Sequence, residues 1–210
     1  YTLTANAPES KDNDFTWKDF QARNNNELVA ILGNFINRVV VLTNKYYEGK
    51  VPAAGNFSDV DTETLDQLRK FPDTISSSIE RYRFREAGQE LMNLARLGNK
   101  YLADAEPWKV IKVDEERVKT IMNVALQIAA GIAVLSEPFL PFTSAKLKNI
   151  LNIDLNPAKG LSWESVSSAE ALLSADHHIN EAELLFRKIE DSEIQAQLDK
   201  LEATKKANSN

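Results

Sequence analysis

Hydrophobic residues recur every three or four positions over most of this chain, which is the spacing of one face of an α-helix. The first such segment runs from Trp17 to Tyr47, and we expect an interruption near residues 24–26, where three asparagines follow one another. At 100° per residue its apolar positions share one face, which we predict to be core. They are Leu28, Ile31, Leu32, Phe35, Val39, Leu42 and Tyr46.

Two further helices are predicted in the middle of the chain. Asp61 or Thr62 should cap the first, and Pro72 should kink it or begin the next one. Residues 75–97 predict a long amphipathic helix with Gly98 as its C-cap. Its inward candidates are Ile79, Tyr82, Phe84, Ala87, Leu91, Leu94 and Ala95.

The second half of the chain predicts one deeply buried helix and then a change of character. Residues 115–135 are the most continuously apolar segment, opened by Asp114, and prolines follow it before a shorter helix over residues 143–151. From residue 152 turn formers replace any sustained period, until residues 191–206 return to a charged helical pattern. These elements predict an all-α fold, an antiparallel helix bundle with an extended C-terminal tail.

Composition narrows the function classes. With 210 residues, 43% of them hydrophobic, the chain can bury a core without metals or disulfides, and it has no cysteine. The longest apolar run lies near residues 125–135, well short of the ~18 residues of a membrane helix. We therefore expect a soluble, cytoplasmic protein with no membrane partner. The net charge of −6 has the wrong sign for broad neutralisation of a nucleic-acid backbone, so any RNA contact must be local.

Catalytic and metal-binding signatures are absent from the sequence. It contains no glycine-rich phosphate loop, no G-x-S-x-G turn and no H-E-x-x-H motif. The only histidines, His177 and His178, are adjacent, and no carboxylate or cysteine stands at ligand spacing from them. We predict no catalytic residue and no metal site, and assign the histidines to packing or to a hydrogen bond.

A polar row runs along the first long helix beside its core face. Asn34, Arg38 and Lys45 fall within about 40° of one another on a helical projection. An amide can meet a base edge, and a guanidinium can stack on a base or bind a phosphate, with Lys45 as a supporting RNA contact. The alternative is a solvated helix flank, which composition alone favours.

Trp108 is the second candidate. It follows Pro107, whose ring presets the backbone at the start of a turn between two long helices. A tryptophan at such a corner is either a core anchor or an exposed platform on which an unstacked base lies. The pattern leaves both readings open.

Four segments, in this order, resemble those of one known family. They are NNNELVAILGNFINRVVVLTNKYYEGKVP (residues 24–52), NKYLADAEPWKVIK (99–112), EPFLPFTSAKL (137–147) and HHINEAELLFRKIED (177–191). The first carries an N-x-x-x-R pair, the second an N-x-Y…PW-x-x-x-K pattern and the third a P-F-x-P-x-S/T-x-x-L motif. Together they resemble the anticodon-binding region of the methionyl-tRNA synthetases.

The resemblance implies a role for each matching residue. In the family, the asparagine and arginine of the first helix and the tryptophan of the PW turn meet the CAU anticodon, and the tryptophan stacks on its first base. These roles map to Asn34, Arg38 and Trp108, and Pro107 shapes the turn. Asp104 or Glu106 is expected to orient the arginine or the loop.

The resemblance also implies a domain organisation. Residues 1–15 would be a linker from the catalytic side, and residues 16–151 the helical anticodon-binding domain. Residues 152–190 would be an extended tail that packs on the bundle or toward the catalytic domain. Residues 191–210 would be a charged helix and a linker to a C-terminal tRNA-binding module, which dimerises some members of the family.

The family's two ATP-binding motifs and its zinc-bearing insertion are missing from this chain. We therefore expect a full-length parent that is an ATP-dependent methionine–tRNA ligase, and a non-catalytic fragment without a cofactor. ATP, and zinc in members that carry it, would belong to the missing catalytic domain. The expected partners are the CAU anticodon loop of tRNA and the parent's own catalytic domain, with homodimer formation assigned to the missing C-terminal module.

Two alternatives remain at this point. Class I synthetases for leucine, isoleucine, valine or cysteine share the helical architecture, though they are not expected to combine GNFINR with AEPWK. A helical protein-interaction module without any RNA role would suit the acidic charge. A fully buried Trp108 and an Arg38 locked in an ion pair would favour that module.

Overall fold

Helix α8 (Glu115–Leu135) forms the centre of the fold, as the sequence predicts: every residue from Val118 to Leu135 except Lys119 is buried. The computed structural model describes residues 1–9, 12–156 and 159–208. The other helices are α1 (Thr2–Ala5), α2 (Trp17–Arg23), α3 (Asn34–Tyr47), α4 (Asp59–Leu68), α5 (Phe71–Glu80), α6 (Phe84–Ala105), α7 (Pro107–Val110), α9 (Pro141–Ile150), α10 (Trp163–Ser167) and α11 (Asp191–Asn208). The all-α prediction is confirmed.

The first long helix is continuous but changes its winding. A π-helical segment, Asn24–Gly33, joins α2 to α3 where the sequence predicts an interruption. Its i→i+5 hydrogen bonds fit more residues into each turn, so a face drawn at a constant 100° drifts out of register. Ile36, Val40 and Thr43 are buried in α3 for this reason. The predicted core positions Leu42 and Tyr46 are only half-buried.

The single helix predicted over residues 75–97 is wrong, because two helices meet there. Helix α5 ends at Glu80, Tyr82 takes a left-handed backbone with φ of 58°, and α6 begins at Phe84. Tyr82 points to solvent with 78% of its surface exposed, so it is not a core residue. Hydrophobic periodicity passes over such a turn because the flanking residues keep helical spacing on both sides of it.

Gly98 is not the helix end that the sequence predicts. It lies inside α6, where a side chain's Cβ would sit 2.5 Å from the Phe35 ring. Phe35 is fully buried, so the absent side chain lets α6 pack closely onto the segment around Phe35. Glu106 ends α6 instead, with φ of 42°.

Helix α4 begins one turn earlier than predicted. Ser58 is its N-cap and accepts a hydrogen bond from the Asp61 N–H, while the Asp61 carboxylate accepts from the Ser58 N–H. Asp61 is therefore the N3 partner of a capping box and not the cap itself. Pro72 stands at the second position of α5 and begins that helix, which is one of the two predicted outcomes.

The tail lies along the bundle. Val51 donates to the His177 carbonyl at 2.9 Å, and Asp176 and Ile179 donate to the carbonyls of Val51 and Gly49. Further along, the Asn25 side chain pairs with both backbone groups of Ile189, each at 2.9 Å. The π segment's asparagines thus anchor the chain that leads into α11.

Two helical stretches, Trp17–Tyr47 and Glu115–Leu135, are long and apolar enough to cross a membrane by length and composition alone. The apolar window of the second is 94% buried inside the bundle, which is how the core helix of a folded domain behaves. The first carries the polar row described above on one flank and the buried residues of α3 on another. Packing inside the fold explains the apolar character of the buried helix.

Candidate nucleic-acid interface

Arg38 and Trp108 come together at one end of the bundle. The guanidinium carbon of Arg38 lies over the Trp108 ring, 5.3 Å from its centre. Both side chains are half-buried. No carboxylate among the described residues lies within ion-pair distance of Arg38, so its guanidinium keeps its donors available while the indole holds it in place.

The backbone around Pro107 fixes the position of this tryptophan. Glu106 ends α6 in a left-handed conformation, and Pro107 is the first residue of the short helix α7. The Glu106 carbonyl accepts from the N–H groups of Lys109 and Val110 at 2.8 and 3.1 Å. Pro107 is buried while Trp108 remains half-exposed, so the proline anchors the turn and the indole stands at the surface.

Asn34 lies one helical turn before Arg38, and its exposed side chain meets α6. Its Nδ2 donates to Oδ1 of Asn99 in a long hydrogen bond of 3.4 Å. Residues four apart on a helix have Cβ atoms about 6 Å from each other. The structure therefore brings three sequence-predicted residues, Asn34, Arg38 and Trp108, to one surface, and adds Asn99 to them.

Lys45 lies farther along the same flank. It is exposed and its Nζ stands 5.5 Å from the centre of the Tyr46 ring. Eleven residues separate it from Asn34, which corresponds to about 16 Å along a helix axis. Lys45 is therefore outside the Arg38–Trp108 contact, at the far end of the polar row.

The acidic residues beside the tryptophan do not contact Arg38. Asp104 pairs with Lys100, and Glu106 pairs with Lys109 at 2.6 Å. Neither of them therefore orients the arginine, because each carboxylate has a lysine three or four residues away. The other half of the expectation from the sequence, that one of them orients the loop, stays a prediction. Each pair is locally neutral, so these carboxylates add little repulsion toward a phosphate backbone.

A buried carboxylate ties together the two helices on either side of the tryptophan turn. Asp61 accepts from the Tyr101 hydroxyl on α6 at 2.6 Å and from Nη2 of Arg117 on α8 at 2.9 Å, and Nη1 of Arg117 contacts its other oxygen. Burial alone would raise the pKa of Asp61. Hydrogen bonds from Arg117, Tyr101 and Ser58 outweigh burial and hold that pKa well below its ordinary value.

The sequence predicts no role for Asn99, and for Asp61 only that of a helix cap. Asn99 belongs to the second motif of the family resemblance, and it lies four positions after Ala95, which is on the inward side of α6. This helical spacing is the sequence feature that could have placed Asn99 on the same side. Nothing local marks Asp61 as buried, because its partners Tyr101 and Arg117 are distant in sequence.

The histidines take part in the tail and not in this surface. His177 Nε2 lies 2.8 Å from the Leu151 carbonyl, so of the two predicted roles, packing or a hydrogen bond, His177 has the hydrogen bond. His178 forms an isolated backbone bridge with Lys50. Within the described parts of the chain, no three His, Asp or Glu side chains are grouped as metal ligands.

Residues 51–206 match the family model described as the anticodon binding domain of methionyl tRNA ligase. The chain belongs to this family. Residues 1–40 match a second model, described as class I tRNA synthetases (M). Asn34 and Arg38 fall in that second match and Trp108 in the first, so the candidate surface of this anticodon-binding domain spans both.

Relatives named methionine–tRNA ligase support this membership. The one from Christiangramia forsetii is 68% identical over 99% of this chain, and the one from Parabacteroides distasonis is 59% identical over 99%. The chain spans about 30% of the length of each of these relatives. The match therefore covers only part of each relative.

Solved structures of methionyl-tRNA synthetases share the fold. The free-state Mycobacterium tuberculosis synthetase aligns with a TM-score of 0.81 at 20% identity, covering 90% of this chain and 38% of that one. The complex of that synthetase with methionyl-adenylate aligns with a TM-score of 0.80 over 89% of this chain. At this level of identity the likeness establishes the helical architecture alone.

Proposed function

We propose that this chain recognises the CAU anticodon of methionine tRNAs as part of a longer methionine–tRNA ligase. The observation that carries the proposal is the stacked pair of Arg38 and Trp108, with Asn34 one turn away on the same face. Trp108 provides a ring on which an unstacked base can lie, while Arg38 and Asn34 provide donors and an acceptor for base edges or a phosphate.

The chain's overall charge fits this mode of binding. A domain with net charge −6 gains little from a broad backbone contact, whereas a splayed anticodon loop can be bound by a few stacking and hydrogen-bonding contacts. The lysine-paired Asp104 and Glu106 leave the surface beside Trp108 without an unpaired carboxylate from either residue. Lys45 then offers a phosphate contact at the end of the row.

The full-length parent protein would attach methionine to tRNA with ATP, in the cytoplasm, using a catalytic domain that this chain contacts. ATP, and zinc where the parent carries it, would bind in that domain. Homodimer contacts would belong to a further C-terminal module.

Neither alternative is retained. The family match and the relatives are methionyl, which removes the case for another class I specificity. An interaction module would be favoured by a buried Trp108 and an ion-paired Arg38. Trp108 is instead half-exposed, and Arg38 stacks on it.

Binding of labelled RNA stem-loops, followed by fluorescence anisotropy at fixed salt, tests the proposal. The loops share one stem and differ only in the three anticodon bases. We expect the CAU loop to bind at least about 10-fold more tightly than loops with unrelated anticodons, since each lost base contact costs about 1–3 kcal/mol. Equal affinity for every loop, or no binding, would contradict the proposal.

A further inference from the structure

Asn99 is held in one orientation by the backbone around it. Its Nδ2 donates to the carbonyls of Ile31 at 2.8 Å and of Ala95 at 3.1 Å. A side-chain amide has two N–H donors on that nitrogen, and both are used here. If the amide were flipped, its oxygen would face two carbonyl oxygens, so Oδ1 of Asn99 must point the other way.

Oδ1 of Asn99 points toward Asn34. Because an amide oxygen only accepts, the Asn34 side chain must present its nitrogen to Asn99, and Nδ2 of Asn34 lies 3.4 Å from that oxygen. Oδ1 of Asn34 is then directed away from α6, and it has no partner among the described residues. The exposed Asn34 thus presents an acceptor to the solvent, beside Arg38 and Trp108.

The backbone strengthens this coupling. Asn34 is the first residue of α3 after the π segment, and its N–H contacts the carbonyls of both Val29 and Ile31. The Ile31 carbonyl therefore receives the Asn34 backbone and the Asn99 side chain together. Gly98 allows α6 to approach this close, since any side chain there would meet the Phe35 ring.

We infer that Asn99 is a positioning residue that makes Asn34 select a base with an amino group at C4 of a pyrimidine or C6 of a purine. This inference rests on the proposed function. Cytosine and adenine carry an amino group on the edge where uracil and guanine carry a carbonyl oxygen. An outward amide oxygen accepts from the amino group and opposes the carbonyl. Within CAU, Asn34 therefore reads the first or the second base, and not the third.

Matched RNA loops test the choice of base. Replacing C by U at the first position, or A by inosine at the second, exchanges an amino group for a carbonyl. We expect the unsubstituted chain to bind the CAU loop about 10-fold or more tightly than each replaced loop. Asn34→Ala should lose that preference at one position only. Asn34→Ala with both preferences intact would overturn the reading of the base.

Asn99→Ala tests the positioning role. Without Asn99 the Asn34 amide can turn either way, so the preference should fall by about 10-fold at the position that Asn34→Ala identifies and stay unchanged at the other. A ratio of affinities for two RNAs cancels any loss of folded protein, because both apparent affinities fall by the same factor. A merely structural role would therefore leave both ratios unchanged, and that outcome would overturn the inference.

Asn44→Ala is the matched control. Asn44 is also a half-buried asparagine, and its Nδ2 also contacts two carbonyls, those of Val40 and Asn180 at 3.0 and 3.3 Å. Its removal should leave both base preferences intact. Should Asn99→Ala fail to fold, Asn99→Ser replaces it, because the hydroxyl can still bond the Ala95 carbonyl yet is too short for Asn34.

The two proposals fail in different ways. If the domain does not recognise anticodons, the unsubstituted chain shows no preference among the loops. If only the positioning role of Asn99 is wrong, both the unsubstituted chain and Asn99→Ala prefer the CAU loop.

Discussion

The guanidinium of Arg38 lies over the indole of Trp108, although 70 positions separate them in the chain and each comes from a different helix. Such a contact contributes about 0.5–1 kcal/mol at an exposed site, too little to be essential for the fold. It aligns a cation with an aromatic surface before any RNA arrives. A preorganised pair loses less side-chain entropy on binding than two separate side chains would.

Removing the guanidinium should weaken RNA binding and leave the fold stable. We expect Arg38→Ala to bind the CAU stem-loop about 10-fold less tightly, since hydrogen bonds from a charged group contribute about 1.5–3 kcal/mol. Its free energy of unfolding should change by less than about 1 kcal/mol. Anisotropy and urea denaturation measure the two quantities.

Arg85→Ala is the control for that experiment. Arg85 is exposed near the start of α6, and Trp108 lies beyond its end, about 30 Å away along the helix. Arg85→Ala should bind the CAU stem-loop as tightly as the unsubstituted chain does. A loss of affinity equal to that of Arg38→Ala would show that total charge, and not the Arg38–Trp108 contact, governs binding.

The sequence predicted the helices whose apolar period is unbroken and missed features that depend on distant partners. Helix α8 was predicted with its cap and its burial because Asp114 and the following apolar run are local signals. Gly98 was misplaced as a helix end because nothing local shows that Phe35 packs against it. Asn34, Arg38 and Trp108 were predicted from pattern and resemblance, but Asn99 needed the packing of α6.

The contact between Gly98 and Phe35 predicts opposite effects for two glycines of one helix. Gly98→Ala forces a methyl group into the buried ring and should destabilise the chain by about 1–3 kcal/mol. It should also weaken stem-loop binding, because α6 carries Asn99 away from Asn34. At Gly88 the nearest atom to an added Cβ is Thr4 Cγ2 at 3.9 Å, so Gly88→Ala should stabilise the helix by about 0.5–1 kcal/mol.

Thermal and chemical unfolding of both glycine variants checks the pair. If Gly98→Ala were as stable as the parent, the close approach of α6 to Phe35 would not exist in solution. If Gly88→Ala were destabilised as strongly as Gly98→Ala, the effect would come from glycine loss in general and not from that contact.

The buried carboxylate of Asp61 predicts a dependence of stability on pH. Because its folded-state pKa lies below the unfolded value near 3.9, its stabilisation is complete above that pH and is lost as the pH falls toward the folded pKa. Asp61→Asn should destabilise the chain by on the order of 2–3 kcal/mol at neutral pH. Its free energy of unfolding should then fall less steeply than the parent's below about pH 4.

Urea denaturation at a series of pH values tests this, with Asp66→Asn as the control. Asp66 is exposed and pairs with Arg69 on the surface, where such pairs contribute about 0–1 kcal/mol. The control should keep the parent's acid dependence. The contrary result is a free energy of unfolding of Asp61→Asn that falls with acid as steeply as that of the unsubstituted chain. That result would show that the pKa of Asp61 is the same in the folded and unfolded states.

The most direct test of anticodon recognition is the affinity of Trp108→Ala for the CAU stem-loop, compared with that of Trp163→Ala. Both tryptophans are half-buried, but Trp163 belongs to α10, on another part of the bundle. Both variants should stay folded by circular dichroism. Trp108→Ala should bind about 10-fold or more weakly, since base stacking contributes about 1–3 kcal/mol, and Trp163→Ala should bind as the parent does. Equal affinity of Trp108→Ala and the parent at the same salt concentration would contradict the central claim.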